Sequence, residues 1–149
     1  MARLDPAIAR LCDRAPTSER PEVQLNESGP VPAPVRAGLR CGLGGSQPDF
    51  VLLWDVPRHQ SLSYVDLAFF RRVGDTGAHV GDCGADDKAY MDWSFGLHAG
   101  KLLCVATPTR ARFDWTFGGE DVLATAERDD GDQEALYQWW LETGRGIVH

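Results

Sequence analysis

The sequence predicts an α+β chain, a single domain over 1–149 built on a mostly antiparallel sheet of about five or six strands. A short N-terminal helix and a C-terminal helix are expected to pack on one face. Three observations predict this. Thr109–Phe117 alternates strictly, with Ala111, Phe113, Trp115 and Phe117 on one side and Arg110, Arg112, Asp114 and Thr116 on the other. That is the period of two of a strand with one apolar and one polar surface. Further apolar or alternating runs, separated by Gly, Pro and Asp turns, fill the chain from Phe50 to Ala126. The last such run gives way to helical spacing at Leu136, Trp139, Trp140 and Thr143.

Taken in order, residues 1–14 form the N-terminal helix: Asp5 caps, Pro6 suits the first position, and Leu4, Ile8 and Leu11 share a face. Residues 15–48 form an extended arm. Pro16, Pro21, Pro30, Pro32 and Pro34 interrupt regular structure, leaving room for a short strand at 22–25, and Gly38, Gly42, Gly44 and Gly45 loosen its end. The Gly-Leu-Gly-Gly stretch at 42–45 lacks the lysine of a phosphate loop and reads as linker. The sheet occupies 49–126. Phe50–Val56 is nearly all apolar and suits a central strand; Tyr64–Arg72 alternates through Val65, Leu67 and Phe69, and Gly74–Gly77 turns the chain. Ala89–Phe95, Lys101–Ala106, Thr109–Phe117 and Val122–Ala126 follow as strands. At 130–144, Asp130 with Gln133 makes a capping box and Gly144 stands at the C-cap position of the final helix. The aromatic set Trp54, Phe69, Trp93, Phe113, Trp115 and Phe117 is expected to form one core.

Composition excludes several classes. A chain of 149 residues with 43% hydrophobic and 25% charged residues is an ordinary globular sequence. No apolar run approaches the roughly 20 residues of a membrane helix, and the N-terminus carries charges where a signal peptide needs its apolar core, so the cytoplasm is the expected address. Cys12, Cys41, Cys83 and Cys104 are widely spread and expected to stay reduced there. The net charge of −7 is unevenly placed: +1 over 1–48, −2 over 49–119 and −6 over 120–149. An acidic C-terminal fifth repels phosphate backbones, which excludes direct nucleic-acid binding there.

Two groups of residues carry candidate chemistry. His79, Asp82 and Cys83, with His98 on a neighbouring hairpin, are the alternative site for a small enzyme or ligand-binding domain, with Cys83 as nucleophile and a histidine as base. Their spacing matches no common zinc set, and Asp82, Asp86 and Asp87 do not follow an EF-hand order, so neither a metal nor any other cofactor is expected. The second group is acidic: Glu120, Asp121, Glu127, Asp129, Asp132 and Glu134 crowd one stretch, with Trp140 as an exposed aromatic anchor beside them. Arg110, Arg112, Asp114 and Asp92 are expected to pair across strands.

No nucleophile elbow or other catalytic set accompanies these groups, so an enzyme is the less favoured reading. In character, as a small, acidic, aromatic-rich chain, the protein resembles bacterial immunity and antitoxin-like inhibitors. The resemblance implies a non-catalytic module whose acidic face covers a basic protein, such as a nuclease-type toxin, with no membrane partner. The assembly alternative is a phage-type or structural subunit whose 15–48 arm wraps a neighbour.

Overall fold

The computed structural model describes residues 4–24, 29–43, 47–59 and 62–148, with only the backbone described at positions 59 and 62. Leu25, Gly44 and Gly45 lie outside the described residues. The fold is α+β with a large, mostly antiparallel sheet. Its eight strands are β1 (Cys12–Arg14), β2 (Ala37–Cys41), β3 (Phe50–Asp55), β4 (His79–Val80), β5 (Lys88–Phe95), β6 (His98–Thr107), β7 (Arg110–Phe117) and β8 (Val122–Arg128). They lie in the order β1-β2-β3-β8-β7-β6-β5-β4, and β4 beside β5 is the parallel pair. Strands β5 to β8 form a meander, because each is joined to the next by a short turn that lets antiparallel neighbours pair at once.

Eight strands replace the five or six expected: 64–72 leaves the sheet, while Cys12–Arg14, His79–Val80 and one strand from the arm join it. Ala37–Cys41, inside the Pro/Gly-rich segment, pairs with β3 through Leu39↔Leu53 and Cys41↔Val51. The N-terminal helix is only α1 (Pro6–Ala9), and Cys12–Arg14, read as helix, pairs with β2 instead. Glu22–Val23 pairs with Val31–Pro32 as a small separate ribbon.

The segment expected as a strand at 64–72 is helical: α2 spans Tyr64–Thr76. Ser63 caps it by accepting from the Asp66 amide, and Gly77, at φ 71°, ends it in the left-handed region. Val65, Ala68, Phe69 and Val73 are its buried residues, a helical spacing that the alternation of Val65, Leu67 and Phe69 imitates over a short window. The Gly74–Gly77 turn is therefore the last helical turn and its cap.

The helices cover both faces rather than one. On the first face, α3 (Gln133–Glu142) lays Leu136, Trp139 and Trp140 onto Phe113, Trp115, Phe117 and Trp93. The rings interlock edge to face, with centroids 5.6 Å apart for Trp93–Trp140 and 6.1 Å for Trp115–Trp139. On the second face, Phe69 and Val73 of α2 pack with Leu103, Leu123 and Val23, while Trp54 and Leu52 pack with Val65. The aromatic set expected as one core is thus divided, Trp54 and Phe69 lying behind the sheet from the rest. Gly144 is not a left-handed cap either. Thr143 caps α3, and a Cβ on Gly144 would lie 2.8 Å from the Trp140 ring and 2.9 Å from that of Trp139.

The four cysteines are paired, against the expectation of free thiols. Cys12–Cys41 staples β1 to β2, and Cys83–Cys104 ties the loop before β5 to β6. Widely spaced cysteines met because sheet pairing brings together residues remote in sequence, as in the Cys12↔Cys41 register. No helix among the described residues is long and apolar enough to cross a membrane.

Candidate functional site

The acidic stretch does not form one face. Glu120 and Asp121 lie in the turn before β8, whereas Asp129, Asp132 and Glu134 follow it, and a seven-residue strand separates the two groups by roughly 20 Å. Asp121 pairs with Arg58 at 3.0 Å. Glu127 is turned inward, 9% exposed, and accepts from Arg112. Trp140 is 1% exposed among the core rings, so it is no surface anchor: it lies on the α3 stripe that faces the sheet.

A different set of carboxylates does converge, at the end of the sheet where β8 stops. The Asp129 amide donates to Asp49 Oδ2 at 2.8 Å, joining the start of β3 to the end of β8. Gln133 Nε2 on α3 donates to the carbonyls of Cys83 and Asp86, which brings the 82–87 loop alongside. Asp49, Asp82, Asp86, Asp87, Asp129, Asp130, Asp132 and Glu134 therefore share one end, with Lys88, Arg110 and Arg128 as the basic residues among them. Gly131, at φ 71°, passes so close to the Thr107 and Pro108 carbonyls that a Cβ would sit 2.6 Å away, which lets the β8–α3 turn close over this end. Asp132, not Asp130, caps α3 by accepting from the Ala135 amide at 2.9 Å.

Asp130 does other work. Arg128 donates to both of its oxygens, at 3.0 and 2.6 Å, and this holds the Asp130 carboxyl down to about 2. Asp49, though exposed, moves the opposite way, raised by local desolvation where it meets the end of β8 and by the neighbouring Asp129. The signs follow from linkage. The Asp130 contribution is present above the ordinary carboxylate range and lost as pH falls toward about 2. Asp49 instead favours the fold while protonated and costs stability as pH rises through its raised value. Carboxyl NMR titration is expected to place the Asp130 midpoint near 2 and that of Asp49 above 3.8, and Arg128→Gln should return Asp130 to the ordinary range.

The polar side of β7 is largely covered. Arg112 donates to Asp114 through Nε and Nη2, both at 3.1 Å, and approaches Glu127 at 3.5 Å. Burial opposes the Arg112 charge, but Asp114 and Glu127 outweigh it and hold that guanidinium firmly protonated. Thr125 Oγ1 donates to Asp114 Oδ1 at 2.6 Å, across the Asp114↔Thr125 register. The charge pairing expected on this side thus exists, along one strand for Arg112–Asp114 and across strands for Arg112–Glu127 and Asp92–Lys101.

The alternative site is not assembled. His79 pairs with Ala89 and His98 with Phe95, at opposite ends of β5 and roughly 20 Å apart. Cys83 is buried in its disulfide, which leaves no thiolate to act as nucleophile. His98 rests edge-on against Phe117, 5.7 Å between centroids. Asp82 and Asp86 spend oxygens on their own loop, accepting from the Gly84 and Asp82 amides. Among the described residues, no three of His, Cys, Asp and Glu gather as a metal-ligand set.

Fold and site together define a two-faced α+β sheet protein with an acidic end and a polar network buried beneath α2. No protein-family model matches the chain, and comparisons with curated proteins and with solved structures find no match.

Proposed function

We propose that this chain is a non-catalytic protein-binding module that covers a basic partner with the acidic end of its sheet, in the manner of immunity and antitoxin-like inhibitors. The observation that carries this reading is the convergence on one end of carboxylates from the start of β3, the 82–87 loop, the β8–α3 turn and α3 itself. Compared with the stretch read from sequence, the surface keeps Asp129, Asp132 and Glu134, adds Asp49, Asp82, Asp86, Asp87 and Asp130, and omits the buried Glu127 and Trp140 together with Glu120 and Asp121 at the far end of β8. Concentrated charge of one sign speeds encounter with an oppositely charged surface more than it adds final affinity. Paired cysteines are the usage of oxidising compartments and are rare in the cytoplasm. The encounter is therefore proposed for an oxidising compartment rather than the expected cytoplasm.

The test neutralises exposed carboxylates that hold no backbone amide: Asp87→Asn, Asp129→Asn and Glu134→Gln together. The fold should survive, since exposed substitutions of this kind change stability by no more than about 0.5 kcal/mol each. Basic proteins that co-purify with the wild-type chain supply the partner for stopped-flow association. The variant should associate about tenfold more slowly at low ionic strength, and the gap should close toward 0.15 M salt and above. Equal association rates at low salt would remove this end from the interface.

A further inference from the structure

A cleft of about 200 Å³ lies between α2, the arm at 19–22 and the sheet. Its floor is Leu52, Trp54, Leu123, Thr125 and Asp114, and its walls carry Arg20, Arg71, Arg72 and Arg112. Four arginines around so small a space need their partners examined one by one. Arg112 is committed to Asp114 by two hydrogen bonds. Arg71 lies 3.7 Å from both Glu22 and Asp75 and donates to Gln24. Glu19, on the cleft wall, accepts two hydrogen bonds from Arg40, so its charge is already paired.

That leaves two guanidinium groups. Arg72 is paired only weakly: its buried Nε faces Asp114 Oδ2 at 3.6 Å, beyond hydrogen-bond reach, and that oxygen already accepts from Arg112. Arg20 has no ion pair among the described residues, and its Nε is likewise buried and unsatisfied. Trp93, Trp115, Trp139 and Trp140 also bury an unpartnered N–H, but those are neutral indoles inside the α3 core, whereas Arg20 and Arg72 carry charge on the wall of an open cleft, where an anion can reach the guanidinium. Two such donors, both on arginines, share one cleft floored in part by apolar rings.

We propose that this cleft binds a small organic oxyanion, its charged group received by Arg20 and Arg72 and its apolar part resting on Leu52, Trp54 and Leu123. Guanidinium forks match the geometry of carboxylate and phosphate oxygens, which is why arginine serves where such groups are recognised. The cleft is smaller than the roughly 300–1,000 Å³ of drug-sized sites, so the ligand is a small metabolite-like molecule rather than a nucleotide. Concavity and partial enclosure favour a small molecule over the side chain of a docked protein. The site is separate from the acidic end and does not depend on it.

The experiment titrates the oxidised 149-residue chain with benzoate and with phenyl phosphate, following amide and arginine side-chain shifts by NMR at constant ionic strength. Acetate, inorganic phosphate and chloride serve as comparators. At least one aromatic oxyanion should bind with a dissociation constant near or below about 1 mM, shifting Arg20, Arg72 and Trp54 signals. The benzoate and phosphate arms decide which oxyanion is preferred. Arg20→Gln with Arg72→Gln should weaken binding by about tenfold or more, while Arg145→Gln, outside the cleft, should leave it unchanged. Should the double glutamine variant not fold, Arg20→Lys with Arg72→Lys retains the charges but removes the forks, and the same loss is expected. Absence of saturable shifts in wild type up to about 10 mM, or equal binding by wild type and the folded double variant, overturns the proposal.

Discussion

Replacing Trp115 with alanine is expected to lower the free energy of unfolding by about 3–5 kcal/mol. The ring is fully buried in β7 and meets both Trp139, at 6.1 Å, and Trp140, at 6.5 Å, on α3. Removing it therefore leaves a cavity at the joint between the sheet and its helix, where a rigid strand cannot collapse to fill the space. For a chain of this length the loss corresponds to a fall in Tm of roughly 6–20 °C. Urea denaturation followed by far-UV circular dichroism measures it. A midpoint unchanged from wild type would place Trp115 on the wrong face and undo the assignment of α3 to that side.

Losing either disulfide should cost nearly as much. Cys83 and Cys104 lie 21 residues apart in sequence, and Cys12 and Cys41 lie 29 apart. Closing a loop of that size removes unfolded-state entropy worth about 3 kcal/mol for each bridge. The double variant Cys83→Ala with Cys104→Ala isolates one bridge, since alanine leaves no buried hydroxyl or thiol behind. Its midpoint should fall below that of the oxidised wild type and respond to reductant only through Cys12–Cys41. Thiol counting under denaturing, non-reducing conditions is expected to find the wild type free of reactive thiols. Free thiols in the purified oxidised chain, or a wild-type Tm indifferent to reductant, would mean that the cysteines do not pair.

The α+β class, the mostly antiparallel sheet and the terminal helix were legible because each rests on local periodicity. The β7 alternation holds residue by residue: Phe113, Trp115 and Phe117 are buried on the α3 side, and Arg112 and Asp114 point away from it. The 64–76 helix was missed although its cap Ser63 and its left-handed Gly77 were both visible. Over nine residues, Val65, Leu67 and Phe69 satisfy a period of two, while Val65, Ala68 and Phe69 satisfy a helical period as well. Proline on its N-terminal side and glycine after it concealed β2, although Ala37, Leu39 and Cys41 alternate with Gly38 and Arg40; five residues are a short signal, and the open edge of β3 supplies the backbone partners.

The candidate sites were less legible for a related reason. Nearness in sequence placed Glu120 and Asp121 with Asp129 and Asp132, yet a strand is a rod that carries its two ends apart. Asp49 and the 82–87 loop, remote in sequence, were brought to the acidic end by strand register and by Gln133. Glu127 carries a charge but sits at an inward position of β8, a side that becomes interior once α2 covers that face. Local pattern was enough to show where most strands alternate, where the last helix runs and where negative charge accumulates, since these depend on neighbours a few residues away. Tertiary structure alone decided which cysteines pair, which carboxylates meet, and that Arg20, Arg72 and Arg112 surround one cleft. Those outcomes depend on the order of strands and on which face each helix covers, and both are set by packing the whole chain.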